Sequence, residues 1–154
     1  MSTNLRSHQW KQQGSVVLWR YTENLRNYPG WQLTADAMGC HSLVELLDAF
    51  DADGVAGSRA VNISPPTPAI LTVPNNRRAQ WVAPTKLRVS FSTTPSQWRF
   101  PEALEPAGLT VGAEWLQKLR HGILGIPLGE GDFAIGNSDD GNLPLWFWWQ
   151  LAVT

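Results

Sequence analysis

The sequence predicts an α+β fold: a mostly antiparallel sheet of about six to seven short strands packed with two helices. Three observations carry that expectation. Residues 86–93 alternate, with Leu87, Val89 and Phe91 on one face and Lys86, Arg88, Ser90 and Ser92 on the other, as a half-buried strand does. Leu43, Leu46, Leu47 and Phe50 recur at helical spacing and form one apolar stripe. Residues 144–153 make a strand that is apolar on both faces, with Leu145, Phe147, Trp149 and Leu151 on one side and Trp146, Trp148 and Gln150 on the other. The alternative architecture for the same elements is a two-sheet, barrel-like β fold with two helices.

Taken in order, residues 1–13 read as a polar N-terminal segment and 14–154 as one globular domain. Residues 15–21 are β-branched and aromatic, a first strand with Val17, Trp19 and Tyr21 on one face and Val16, Leu18 and Arg20 on the other. Pro29 and Gly30 mark a turn. Ser42 and Glu45 have the spacing of a capping box at the start of the first helix, which Gly54 is placed to stop in a left-handed conformation. The same Asp51–Gly54 run opens like a calcium loop, but Ala56 and Asn62 stand where that loop needs Gly and Glu.

From 57 to 101 short strand-like pieces (60–64, 69–73, 80–83) alternate with prolines, and 97–100 reads as an edge strand. Thr110 stands as the cap of a second helix whose apolar face is Trp115, Leu116, Leu119 and Ile123, with Gly122 as its stop. Two strands, 132–136 and 143–153, then flank a polar loop that suits a hairpin.

Composition narrows the function classes. The net charge of −1 gives no overall attraction to nucleic acid or membrane. There is no secretory apolar region near the N-terminus, and no run approaches the roughly 18 apolar residues of a membrane span. A lone Cys40 suits a reducing compartment, so the expectation is a cytoplasmic protein with no membrane segment. No cofactor and no metal are expected: His8, His41 and His121 lack ligand spacing, and no cysteine pair is present. Cys40 beside His41 makes no dyad, because helix neighbours do not face each other; a thiol with a pKa lowered by the helix dipole is the reactive alternative to a plain buried one. Glycines at 122, 125, 129 and 131 follow a helix, whereas a phosphate cradle places them before one.

Two features point to recognition. Nine tryptophans are many for one small domain, since Trp is rarely fully buried. Between Asp53 and Glu102 there is no acid, yet Arg59, Arg77, Arg78, Lys86, Arg88 and Arg99 all lie there, half of the 12 cations. The leading expectation is therefore a non-enzymatic protein that contacts a protein partner, or a second copy of itself, through Trp81, Arg88, Trp98, Arg99, Trp146 and Trp148, residue types that dominate interface energetics. One alternative is binding of nucleic acid or another polyanion through the acid-free segment. The other is a small hydrolase or glycan-acting protein that uses Glu130, Asp132, Asp139 and Asp140.

Overall fold

The computed structural model describes residues 6–149 and is α+β. Two mixed sheets hold the chain, one ordered β4-β1-β2-β9-β8 and the other β3-β5-β7-β6. Five of their seven pairings are antiparallel; β2 with β9 and β5 with β7 are parallel. The strands are β1 (Val16–Tyr21), β2 (Trp31–Ala35), β3 (Gly57–Asn62), β4 (Trp81–Val82), β5 (Lys86–Phe91), β6 (Trp98–Arg99), β7 (Ala107–Val111), β8 (Phe133–Ile135) and β9 (Leu145–Phe147). The helices are α1 (Ala37–Asp53), the single turn α2 (Pro68–Leu71) and α3 (Ala113–Gly125). Among the described residues the sheets do not close into a barrel. No helix among the described residues is long and apolar enough to cross a membrane.

The main core lies between the inner faces of the sheets, α1 and α3. It takes Val16 and Leu18 from β1, Leu87, Val89 and Phe91 from β5, and Leu145 and Phe147 from β9. Trp31 stacks on Phe100 with ring centroids 5.0 Å apart, and Phe50 stacks on Phe91 at 6.1 Å. Trp10 is buried here too, its Nε1 donating to the Ser42 carbonyl at 2.7 Å. The N-terminal segment is thereby tied to α1.

Several local expectations move. The first helix starts six residues earlier than the capping box implies, because Asp36 is the cap and accepts from the Gly39 N–H at 2.7 Å. Ser42 lies inside the helix, and its hydroxyl accepts from the Gln13 N–H at 2.9 Å. Gly54 does close α1, at φ 68°. Residues 69–73 are not a strand: Pro68 in the first turn and the Thr67 hydroxyl, accepting from the Ile70 N–H at 3.2 Å, start α2 instead. Thr110 belongs to β7, and α3 begins after Gly112. Gly122 does not end that helix. It allows α3 to approach β9, since a side chain there would collide with the Phe147 ring. The sequence reading also missed β2 and β7, whose short runs contain Gln32, Thr34, Gly108 and Thr110. Residues 150–153 of the expected last strand lie outside the described residues.

Candidate functional site

The alternation of β1 sends Val17, Trp19 and Tyr21 to the face of the five-stranded sheet that turns away from the main core, where they begin a second cluster. Register adds Trp81 opposite Tyr21, Gln32 opposite Trp19, Thr34 opposite Val17, and Trp146 opposite Gln32. Trp148 follows, buried, with its Nε1 donating to Gln32 Oε1 at 2.7 Å. Half-buried Trp146 lies parallel to it at 6.2 Å, and Tyr28 meets both rings edge-on. Trp149 joins this cluster rather than the Phe147 side, because the strand has ended at Phe147.

α2 and the loop after it cover one end of this aromatic face and leave a cleft of about 550 Å³. Its wall includes Tyr21, Pro68, Leu71, Asn76, Arg78 and Trp81. Asn76 is buried and anchors the loop: it accepts from Asn27 Nδ2 at 3.0 Å, and its carbonyl accepts from Asn24 Nδ2 at 3.3 Å. The same loop holds three non-glycine residues at positive φ, Asn75 (54°), Arg77 (52°) and Arg78 (58°). Two consecutive arginines in that region are uncommon, and such residues concentrate at functional sites.

Three buried side-chain polar atoms have no hydrogen-bond partner among the described residues: Trp19 Nε1, the Tyr21 hydroxyl and Thr34 Oγ1. All three residues belong to this one sheet face. Burial pushes the Tyr21 phenol up from its ordinary pKa; the Trp19 indole N–H, close to the phenol but short of full hydrogen-bond geometry, opposes the rise and Tyr28 adds to it. Orphaned polar groups of this kind cost about 1–3 kcal/mol each, so their grouping on one face beside a cleft calls for an explanation.

The sequence-predicted contact residues separate. Trp81 stands at the cleft and Trp146 on the same face. Arg88 and Arg99 are exposed on the outer face of the other sheet, Arg88 donating to Ser58 Oγ at 3.2 Å. Trp98 and Trp148 present no contact surface. Trp98 is 4% exposed, donates to the Leu143 carbonyl at 3.0 Å, and packs against Phe100, Trp115 and Gly136. Five of the nine tryptophans are buried and the other four half-buried, so the excess of indoles builds two aromatic clusters before it builds any surface.

Tyr21, Arg78 and Asn76 were not among the predicted contacts. The signal that could have found them is the helix start at Thr67-Pro68, which folds the following loop over Tyr21. Glu130, Asp132, Asp139 and Asp140 are exposed, and none lines the cleft. Cys40 is not an activated thiol: burial, with Asp36 adding to it, pushes its pKa up to about 12, and Sγ faces the Ala35 carbonyl at 3.7 Å. Among the described residues no three His, Cys, Asp or Glu side chains gather as metal ligands would. No protein-family model matches the chain, and neither a curated protein nor a solved structure matches it.

Proposed function

We propose that this chain is a non-enzymatic, cytoplasmic binding protein and that it holds a protein partner, or a second copy of itself, at the Trp81 cleft. One observation carries the reading: a cleft of about 550 Å³, the size of a group-binding pocket (about 300–1,000 Å³), lined by Tyr21, whose buried hydroxyl has no hydrogen-bond partner among the described residues, with half-buried Trp81 beside it. Trp and Arg are the side chains that concentrate binding energy at protein interfaces, and Trp81 and Arg78 supply both at one place. The buried thiol of Cys40 supports a reducing setting. Selection from a random peptide display library tests the reading. Selected peptides should bind at least about tenfold more weakly to Trp81→Ala, as removal of a central aromatic anchor implies. A library that yields no binder, together with a monomer by light scattering at every concentration, would overturn it.

A second reading, binding of single-stranded nucleic acid, is favoured by the open face of the four-stranded sheet. Lys86, Arg88 and Arg99 share that face with Ser58, Ser90 and Thr110, all in register, and none of the three cations forms an ion pair among the described residues. The acid-free segment is thus divided rather than pooled: Arg59 donates to the Trp10 carbonyl at 2.9 Å, and Arg78 lines the cleft on the other sheet. Three phosphate contacts predict that log K falls with log salt at a slope of about −2. Affinity for single-stranded DNA that ignores salt, or no binding at low salt, removes this reading.

A further inference from the structure

The wall of the cleft is rich in donors. Arg78 brings a guanidinium that joins no ion pair among the described residues. Tyr21 adds a side chain whose buried hydroxyl has no hydrogen-bond partner among the described residues; Trp19, whose ring meets Tyr21 edge-on at 6.4 Å, is fully buried and is not part of the wall. Among the described residues no Asp or Glu lines the cleft. Glu23 adjoins its rim, but that carboxylate accepts from the backbone N–H of Gln80 at 2.8 Å. Pro68, Leu71, Ala79 and the Trp81 ring supply the apolar part of the wall.

An anionic acceptor is the group these donors fit, because hydrogen bonds to an ionised partner are roughly twice as strong as neutral ones and a guanidinium pairs a carboxylate through two bonds. Resting on the reading of the cleft as the recognition site, we infer that its partner presents a carboxylate next to an apolar or aromatic group, the carboxylate to Arg78 and Tyr21 and the apolar group to Trp81 and Leu71. A space of about 550 Å³ holds one side chain and a chain end; it does not hold a folded surface. The carboxylate can come from the C-terminus of a protein or from a free small acid, which share this chemistry.

Three probes separate the outcomes: a hexapeptide ending in phenylalanine with a free carboxylate, the same peptide as its C-terminal amide, and 3-phenylpropionate. Each is titrated into the full chain while the indole N–H signals of Trp19 and Trp81 are followed by heteronuclear NMR. The free-acid peptide should shift both signals saturably, and its amide should bind at least about tenfold more weakly. Arg78→Gln should weaken the acid by a similar factor and leave the amide unchanged. Tyr21→Phe should weaken the acid while the fold persists. Equal binding of 3-phenylpropionate and the peptide identifies a free acid as the source; binding of the peptide alone identifies a chain end, and either result supports the inference. Equal binding of acid and amide overturns the carboxylate and leaves the cleft as a recognition site. If none of the probes shifts these signals while display-selected peptides do, the inference alone falls; if neither set does, the cleft reading falls with it.

Discussion

Replacing Tyr21 by Phe takes one oxygen out of a buried position and changes little else, which makes it a direct measure of what that oxygen costs the fold. The side chain is 4% exposed, and its hydroxyl has no hydrogen-bond partner among the described residues. An unsatisfied buried polar group costs about 1–3 kcal/mol, whereas the ring, with its edge-on contact to Trp19, is retained by phenylalanine. The variant should therefore be more stable than the parent by about 1–2 kcal/mol. For a domain of this size that is a rise of about 2–8 °C in Tm. Urea unfolding should show the gain as a shifted midpoint with an unchanged slope, since the surface exposed on unfolding is nearly the same.

A pH series adds a second check. Because the folded-state pKa of Tyr21 is raised above 10.0, the unfolded chain loses this proton first as pH rises. The parent's stability thus falls above pH 10 through this group, and that of the phenylalanine variant does not, so the gap should widen there. A variant less stable than the parent by about 1 kcal/mol would mean that the hydroxyl is well satisfied in the fold and is no donor waiting for a partner. The expected pattern, stability gained while carboxylate binding is lost, is the trade-off of a site that keeps polar groups for a partner.

Three further outcomes follow from the same geometry. Asp36→Ala should destabilise by about 1–2 kcal/mol in urea, since Asp36 Oδ1 accepts from both Gly39 and Ser15 N–H groups, at 2.7 and 3.0 Å. Gly122→Ala should cost more than a solvent-face substitution on α3, about 1–3 kcal/mol by thermal unfolding, because the added methyl meets the Phe147 ring. Cys40 should resist an aromatic disulfide reagent at pH 8 until the chain unfolds. Its raised pKa should also withdraw stability from about pH 9 upward to about 12, and Cys40→Ala should flatten that alkaline limb.

Much of the fold was legible because short-range geometry sets which side chains share a face. The alternation in Val16–Tyr21 and Lys86–Phe91, the stripe Leu43, Leu46, Leu47 and Phe50, and the Gly54 stop all appear in the structure where the letters put them. Local signals failed where tertiary contacts outbid them. Ser42 has the letters of a cap, but its hydroxyl is taken by Gln13 and the helix extends back to Asp36. Residues 69–73 have strand-forming side chains, but Thr67 and Pro68 start a helical turn first.

The candidate site was less legible. Trp81 and Trp146 were named, yet Trp98 and Trp148 share their chemistry and are buried. Indole is equally suited to a core and to a contact, so composition cannot separate the two uses. Tyr21 and Arg78 lie 57 positions apart and line one cleft only because β4 pairs with β1 and the loop after α2 runs over that edge.

Periodic features were readable from the letters alone: which residues point together, where β1 has two apolar faces, and that the acids are absent from one stretch. What covers each face was set by long-range pairing. The parallel pairing of β2 with β9 joins Trp31 to Leu145 across the chain and places Trp146 and Trp148 over Gln32, away from the main core. The division of Arg78 from Arg88 and Arg99 onto different sheets was decided the same way. The physical reason is that facing follows from the dihedral angles of adjacent residues, whereas covering follows from long-range pairings whose partners no local pattern specifies.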